Sequence, residues 1–393
     1  MRVLILHDYG TLHGGAEVMV VALRDALRER GHEAMLFTST ARPLPLPFVS
    51  DEQCYGTVSP LRRVLQAANP HAAVRLRSVL GEFRPDVVHV KMFLTQLSPL
   101  VLPLLRPVPS LLHVVNYNLV CPVNTKTMPD GAPCRERAGA VCHATGCMSW
   151  AGVARAAVQR RLTALDVFDR IVANSDWVAR RLRAEGVRVD ETIPNGVPAR
   201  PPRAPLGATP VVGFAGRLVR KKGVDVLLHA IALVRERVPA ARLVVAGDGP
   251  ERATLGRLAG ELGIGEAVDF AGHLPQPEME RVLGPAWVQA VPSRWEEPFG
   301  LVAAEAMMRG TAVVASDAGG LTEQVAQGET GYLAPAGDAR ALALALERVL
   351  ADRGHAEALG AVGRERALAA FGIDRHVGRI EQAYRRMTSL RGT

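Results

Sequence analysis

Short apolar runs alternate with amphipathic helical stretches twice along this chain, and that alternation restricts the fold to parallel sheets joined by crossover helices. In the first half, residues 3–6, 34–38, 87–90, 111–115 and 171–173 are apolar at most positions and stop at polar or turn residues. Strands buried on both faces read that way. A helix is expected over about residues 17–30, closed by Gly31, because glycine tolerates the left-handed backbone that ends a helix. Residues 194–210 hold six prolines, a density that neither a helix nor an inner strand tolerates, so an interdomain linker is placed there.

Beyond the linker the pattern restarts, with strands expected at residues 211–214, 242–246, 267–270, 287–291 and 312–315. After Pro335 the chain reads as nearly continuous helix, broken at Phe371 and Gly372. The expected domains are therefore 1–193 and 211–371. A length of 393 residues with 48% hydrophobic and 22% charged side chains supplies each with its own core. Ligands of doubly wound sheets sit beyond the carboxyl ends of the strands, so a cleft between two such domains is where a ligand is expected.

Other classes are disfavoured. The chain opens with Arg2 and only four apolar residues before His7 and Asp8, which reads as a first strand and not as a signal peptide. The longest greasy stretch, residues 97–115, is interrupted by Pro99, Pro103, Arg106, Pro107 and Pro109, whereas a membrane span needs roughly 20 uninterrupted apolar residues. Of the net charge of +8, +7 lies in residues 1–200. That excess is either solvated helix surface or a basic face for anionic lipid or an acidic acceptor. No basic stretch is interleaved with aromatics in a nucleic-acid module, so nucleic acid is not an expected partner.

The chemistry concentrates in the second half. Glu297-Pro-Phe-Gly-Leu-Val-Ala-Ala-Glu305 leads into a helix expected to begin near Gly300. The first amides of a helix lack intrahelical partners and carry the positive end of its dipole, which suits a diphosphate. Glu297 then lies just ahead of the helix and Glu305 inside it, placed to hold hydroxyls on either side of a phosphate. Gly216-Arg217-Leu218 follows the first strand of this half, and Lys221-Lys222-Gly223 precedes the next helix. Two cations there are placed to neutralise a leaving diphosphate. Gly247-Asp248-Gly249-Pro250 follows another strand, a turn that lets backbone approach a ligand closely. Each cluster alone reads equally well as turn glycines and solvated cations; together they favour a shared site.

These residues resemble the retaining glycosyltransferases of family 4, of the GT-B fold: two Rossmann-like, doubly wound parallel-sheet domains facing across a cleft. The resemblance rests on GFAGRLVRKKGVDVLLHA, LVVAGDGPE, FAGHL, VPSRWEEPFGLVAAEAM, GTAVVASDAGGLTE and GYLAP, in order over residues 211–338, and on Gly14-Gly15-Ala16-Glu17, PDVVHV and Asn174-Ser175 in the first half. It implies that Arg217 and Lys222 bind the donor diphosphate, that Glu297 contacts the transferred sugar, and that Glu305 holds the ribose. Phe299 precedes the amides of Gly300 and Leu301, which meet the phosphates. Gly216 is a further donor-binding residue, the Gly247–Pro250 turn (Gly247, Asp248, Gly249) and the segment His273–Leu274 flank the base, while Gly14 and Gly15 form a loop closing over the donor. The final helix, roughly 373–389, packs back on the first domain.

The resemblance further implies a UDP- or GDP-type nucleotide sugar as donor and a glycan, lipid-linked sugar or small natural product as acceptor. Anomeric configuration is retained by front-side displacement, in which the departing phosphate takes the acceptor's proton, so no protein base is nominated. No Asp-x-Asp motif occurs. No metal is therefore expected at the donor, and no cofactor is required for transfer; cations and a helix end take the metal's role. The expected location is the cytoplasm, with peripheral contact at the anionic inner membrane face as an option.

One motif departs from the family. Where its members carry His-Asp-Tyr at a strand end, this chain has Val115, Asn116 and Tyr117. His113 lies two residues earlier on the same strand face, and with Asn116 it is the expected acceptor-side pair; the alternative is a satisfied, half-buried histidine. A degenerate GT-B protein that only binds nucleotide sugar or glycan is the alternative function. Cys121, Cys134, Cys142 and Cys147 lie in a turn-rich stretch, as in a subset of family-4 enzymes with a cysteine-rich insertion. Four thiolates, or three with His143, suffice for a structural zinc site; disulfides or unliganded thiols are the alternatives.

Overall fold

A computed structural model describes residues 1–12 and 14–391. The chain divides into two compact units, the first comprising Met1–Pro129, Cys134–Pro198 and the segment from Ile373 onward, the second Asp130–Pro133 and Ala199–Gly372.

In the first unit the described residues form a seven-stranded sheet of β1 (Arg2–Tyr9), β2 (Glu33–Ser39), β3 (Glu52–Cys54), β4 (Val87–Val90), β5 (Ser110–Val114), β6 (Arg170–Ala173) and β7 (Glu191–Thr192). The order is β3-β2-β1-β4-β5-β6-β7 and every pairing is parallel. Val3, Leu4, Ile5 and Leu6 have no exposed surface, the pattern of an inner strand covered on both faces. The helix Gly15–Glu29 turns Val20, Leu23 and Leu27 onto Val3, Ile5, Val87 and Leu111. It ends at Arg30, followed by Gly31 at φ +82°. The helix Ile373–Arg391 adds Val377, Ile380, Ala383, Tyr384 and Met387 to the same core. At roughly 1.5–3 kcal/mol for each large apolar side chain enclosed, it contributes substantially to this unit's stability.

The second unit carries a six-stranded parallel sheet of β8 (Val211–Ala215), β9 (Arg242–Ala246), β10 (Val268–Gly272), β11 (Val288–Val291), β12 (Ala312–Ser316) and β13 (Gly331–Ala334), in the order β10-β9-β8-β11-β12-β13. Val212, Phe214, Leu227, Ile231, Leu243, Val288, Val314 and Leu346 lie in its core. β3, β7 and β13 were not among the expected strands. In both sheets the strand order reverses beside the first strand, at β1/β4 and at β8/β11. Crossovers leave such a point in opposite directions and open a crevice at the carboxyl ends.

Candidate active site

In the second unit the loops after β8 and β11 flank that crevice, and backbone contacts lock them together. Gly223 sits at φ +69°, where a Cβ would lie 2.0 Å from the carbonyl oxygen of Pro292. The Arg294 amide donates to the Lys221 carbonyl at 2.9 Å, and the Arg294 guanidinium pairs with Asp225. So held, Lys222 Nζ donates to Glu297 Oε1 at 2.6 Å, and Ser293 Oγ donates to the same oxygen at 2.6 Å. Burial alone would raise the Glu297 pKa; the Lys222 charge, with hydrogen bonds from Lys222, Ser293 and Trp295, more than offsets it and holds the carboxyl below its usual range. Glu297 is thus a buried carboxylate kept ionised by its partners. Lys221 Nζ lies 4.0 Å from the centre of the Trp295 ring. Burial brings its pKa down to about 8, with Arg217 and Lys222 opposing its charge and Glu297 favouring it. Arg217 itself is exposed.

The peptide carrying Glu297 is fixed from behind. Gly320 N donates to the Glu297 carbonyl at 2.7 Å, and Gly319, at φ +66°, could not carry a Cβ without meeting that oxygen at 2.3 Å. Phe299 is buried and packs edge-on against Phe371 at 5.5 Å. Gly300, at φ +92°, stands at the N-cap of the helix Leu301–Arg309, and no side chain caps it. The first amides of that helix, including Leu301, therefore stay available to an anion. Glu305 lies within the helix, and burial raises its pKa, with Arg309 and Arg200 opposing and Glu280 adding to the shift. Arg309 donates to Gln289 at 3.0 Å and Glu280 at 3.3 Å; among the described residues none hydrogen-bonds Glu305.

The turns after β8, β9 and β10 interlock through backbone. Gly216 N donates to the Ala246 carbonyl at 3.0 Å, Leu218 N to Asp248 O at 2.9 Å, and Gly247 N to Gly272 O at 2.7 Å. A Cβ on Gly247 would lie 1.8 Å from Gly216 O. The Asp248 carboxylate accepts from Gly249 N at 2.7 Å, so it shapes its own turn. Leu274 packs with Val302 against Ala215 and Ala246, an apolar wall beside the start of the Leu301–Arg309 helix. Of the residues expected from the sequence, Lys222 and Glu297 are in direct contact, Arg217 acts on Lys221 through its charge, Gly300 follows at the helix N-cap, and Glu305 lies instead among Arg309, Arg200 and Glu280. Sequence reasoning missed Ser293, Arg294 and the Gly319–Gly320 backing, whose only signal was their place inside matching segments.

In the first unit, Gly14 is the N-cap of the helix beginning at Gly15. Asn116 Oδ1 accepts from Asn118 N at 3.0 Å, a turn beside a cavity also lined by Met92, Leu94 and Leu119. The expectation for His113 is corrected. Its side chain has no exposed surface, its Nε2 lies 3.2 Å from the Ile193 carbonyl, and its ring sits between His89 and His376, each 5.6 Å away. The face of β5 that carries it is covered by the Ile373–Arg391 helix, so it touches no acceptor. A residue not anticipated is Lys91 at the end of β4: buried, its ammonium without a hydrogen-bond partner, and its pKa lowered by burial to about 7.

Zinc, disulfides and unliganded thiols are the three readings open for the cysteine stretch. All four cysteines of the stretch are free thiols, and among the described residues no three His, Cys, Asp or Glu side chains converge to hold a metal. Cys121 Sγ instead accepts from Lys126 N at 3.4 Å and Cys147 Sγ from Thr145 Oγ1 at 3.4 Å. The loop is tied by Lys126 Nζ, which donates to Glu185 at 2.6 Å and to the Glu136 carbonyl at 2.8 Å.

Two Rossmann-like units, one with a cationic crevice and an open helix end at its switch point, define a protein of the GT-B class. Residues 200–366 match the family described as glycosyl transferases group 1, and residues 14–196 the glycosyl transferase 4-like domain. D-inositol 3-phosphate glycosyltransferase 1 of Catenulispora acidiphila is 31% identical over 95% of this chain and 90% of its own length. The GDP-mannose-dependent alpha-(1-6)-phosphatidylinositol monomannoside mannosyltransferase of Mycolicibacterium smegmatis is 39% identical over 42% of this chain and 44% of its own. The chain spans about half the length, or less, of several other curated relatives that it matches. Among solved structures, sucrose-phosphate synthase from Thermosynechococcus elongatus superposes with a TM-score of 0.76 at 25% identity, covering 99% of this chain and all of that one. Anabaena HepE in complex with UDP-glucose superposes at 0.70 and 20% identity, over 97% and 98%, a likeness of fold. The chain belongs to the family-4 glycosyltransferases of GT-B fold.

Proposed function

We propose that this protein is a retaining, metal-independent glycosyltransferase that moves a hexose from a UDP- or GDP-type nucleotide sugar to a glycan, lipid-linked sugar or small natural product in the cytoplasm. The observation that carries the reading is the Lys222–Ser293–Glu297 cluster beside the uncapped start of the Leu301–Arg309 helix. Arg217, Lys222 and the helix amides neutralise the charge that grows on the leaving diphosphate, preorganised electrostatics of the kind that lowers a barrier most. Glu297, ionised and held from two sides, accepts hydrogen bonds from the sugar's hydroxyls. Glu305 accepts from the ribose, and Leu274 with the glycine turns flanks the base. On the donor's front face the bond from the anomeric carbon to the phosphate oxygen breaks as the acceptor's bond forms, and the departing phosphate takes the acceptor's proton.

Two similar proteins support a nucleotide-sugar donor: one is GDP-mannose-dependent and another was crystallised with UDP-glucose. The test is donor hydrolysis and transfer by the full chain, wild type against Glu297→Ala. Turnover that the substitution abolishes supports an enzyme. A second reading, a degenerate protein that binds nucleotide sugar or glycan without turnover, has in its favour Val115 at the family's histidine and the enclosure of His113. It predicts donor binding in the wild type with no turnover to lose.

A further inference from the structure

Two stretches of the first unit, residues 53–81 and 137–165, contain no Asp or Glu. The fold brings them side by side: Gln159 Nε2 donates to the Gln66 carbonyl at 2.8 Å and to that of Leu94 at 2.7 Å. Residues 58–64, Val-Ser-Pro-Leu-Arg-Arg-Val, are all exposed, with Val58 at 47%, Leu61 at 49% and Val64 at 62%. Beside them runs the helix Trp150–Leu162, whose buried residues are Gly152 and Ala156. Its outward stripe is Trp150, Ala154, Val158 and Leu162, spaced by four, all exposed and all apolar. That inverts the usual distribution, in which the apolar stripe of a helix faces the core.

Arginines are interleaved with this apolar surface. Arg155 has its pKa lowered by burial and then by the charges of Arg63 and Arg62, so the three crowd one another. Among the described residues no carboxylate forms an ion pair with Arg62, Arg63, Arg155 or Arg161, whereas Arg75 of the same acid-free stretch pairs with Glu52. Exposed apolar side chains interleaved with clustered, unpaired cations match a partner that offers both anions and an apolar layer. A nucleic acid supplies charge but no apolar layer. An anionic bilayer supplies phosphates at its headgroups and hydrocarbon just beneath, and an indole such as Trp150 prefers that boundary.

We infer that this surface docks the protein on an anionic lipid bilayer, with Leu61, Val64, Val158 and Leu162 entering the interface and Arg62, Arg63, Arg155 and Arg161 meeting headgroup phosphates. The inference stands apart from the donor-site reading, since docking needs no turnover. The test is flotation of the full chain with phosphatidylcholine vesicles, with and without phosphatidylglycerol. The wild type binds only the phosphatidylglycerol vesicles, and added salt weakens binding. Each arginine near the surface is worth about fivefold in partitioning, so Arg62→Glu/Arg63→Glu lowers binding more than tenfold. Val158→Ser/Leu162→Ser lowers it severalfold at every salt concentration. Both variants keep the wild-type melting temperature and nucleotide-sugar response, because the altered side chains are exposed and outside the donor crevice. No binding to anionic vesicles, equal binding to neutral ones, or wild-type binding by the charge-reversed variant overturns the inference. So does self-association that Val158→Ser/Leu162→Ser abolishes, which would make the surface a protein interface.

Discussion

The two units share a parallel sheet with the same reversal of strand order, yet the carboxyl ends of their strands are finished in opposite ways. In the second unit, charged groups gather at a crevice whose walls are locked by backbone: Gly223 under Pro292, Gly247 against Gly216, Gly319 against Glu297. In the first, Leu6, Val90 and Leu112 share a register across β1, β4 and β5, and His7, Lys91 and His113, one residue beyond them, are all buried. His89 lies 2.6 Å from the Tyr384 hydroxyl, and His376 Nδ1 donates to the Pro194 carbonyl at 2.7 Å. Burial keeps His89, His113 and His376 neutral at physiological pH. Basic residues at a strand end are thus no mark of a site by themselves. An open helix end with a paired, ionised carboxylate is the more specific sign.

The largest effect should come from removing that carboxylate. Glu297→Ala is expected to cut kcat by about 10²–10³, the cost of losing a preorganised electrostatic partner, and to lower the melting temperature as well, because Lys222 and Ser293 lose the carboxylate they pair with, while the circular dichroism spectrum stays that of a folded chain. Gly223→Ala attacks the lock instead. Its φ of +69° and the 2.0 Å approach to Pro292 O should cost at least roughly 1–3 kcal/mol. A lower melting temperature and weaker donor binding in the same variant would follow, because the loop carries Lys222; an unchanged melting curve would break the argument from backbone contact.

Glu305→Gln should weaken donor binding roughly ten- to a hundredfold, since a hydrogen bond to a charged group is worth about 1.5–3 kcal/mol. Its raised pKa gives a sign as well. Wild-type donor affinity falls as pH drops through a value above the usual carboxylate pKa, and Glu305→Gln loses that dependence. The smallest effect concerns the enclosed histidines. The unfolded chain protonates its histidines near the ordinary 6.5, whereas His376 in the fold does so only at about 3. Its share of stability is complete above about pH 6.5 and declines as pH falls from there towards about 3. His376 contributes about 1.4 kcal/mol per pH unit within that window. His376→Gln should flatten the fall of melting temperature between pH 7 and pH 5.5.

The long inner strands were legible because burial on both faces forces continuous apolar runs; β4 and β9 fall at the expected residues. β3 reads Glu-Gln-Cys and β7 is two residues long, so neither has a periodicity to detect. Glu297, Lys222 and the glycine turns were legible as segments. Their mutual contacts were not, since Ser293 meets Glu297 and Gly223 meets Pro292 only after the sheet brings the ends of β8 and β11 together. His113 was misplaced because strand alternation fixes the face a side chain takes but not what covers that face, and here a helix some 260 residues later in the sequence supplies the cover. The cysteine stretch carried composition without ligand spacing, and its thiols are engaged in turns.

Ligand-dependent melting shows whether the second unit holds a nucleotide sugar. The full chain should be heated with UDP-, GDP-, ADP- and TDP-sugars, wild type beside Lys222→Ala. One nucleotide sugar should raise the wild-type melting temperature by mass action, and Lys222→Ala should lose most of that rise. If no nucleotide sugar shifts the wild type even at millimolar concentration, or if Lys222→Ala responds as the wild type does, the donor site is not where these residues put it.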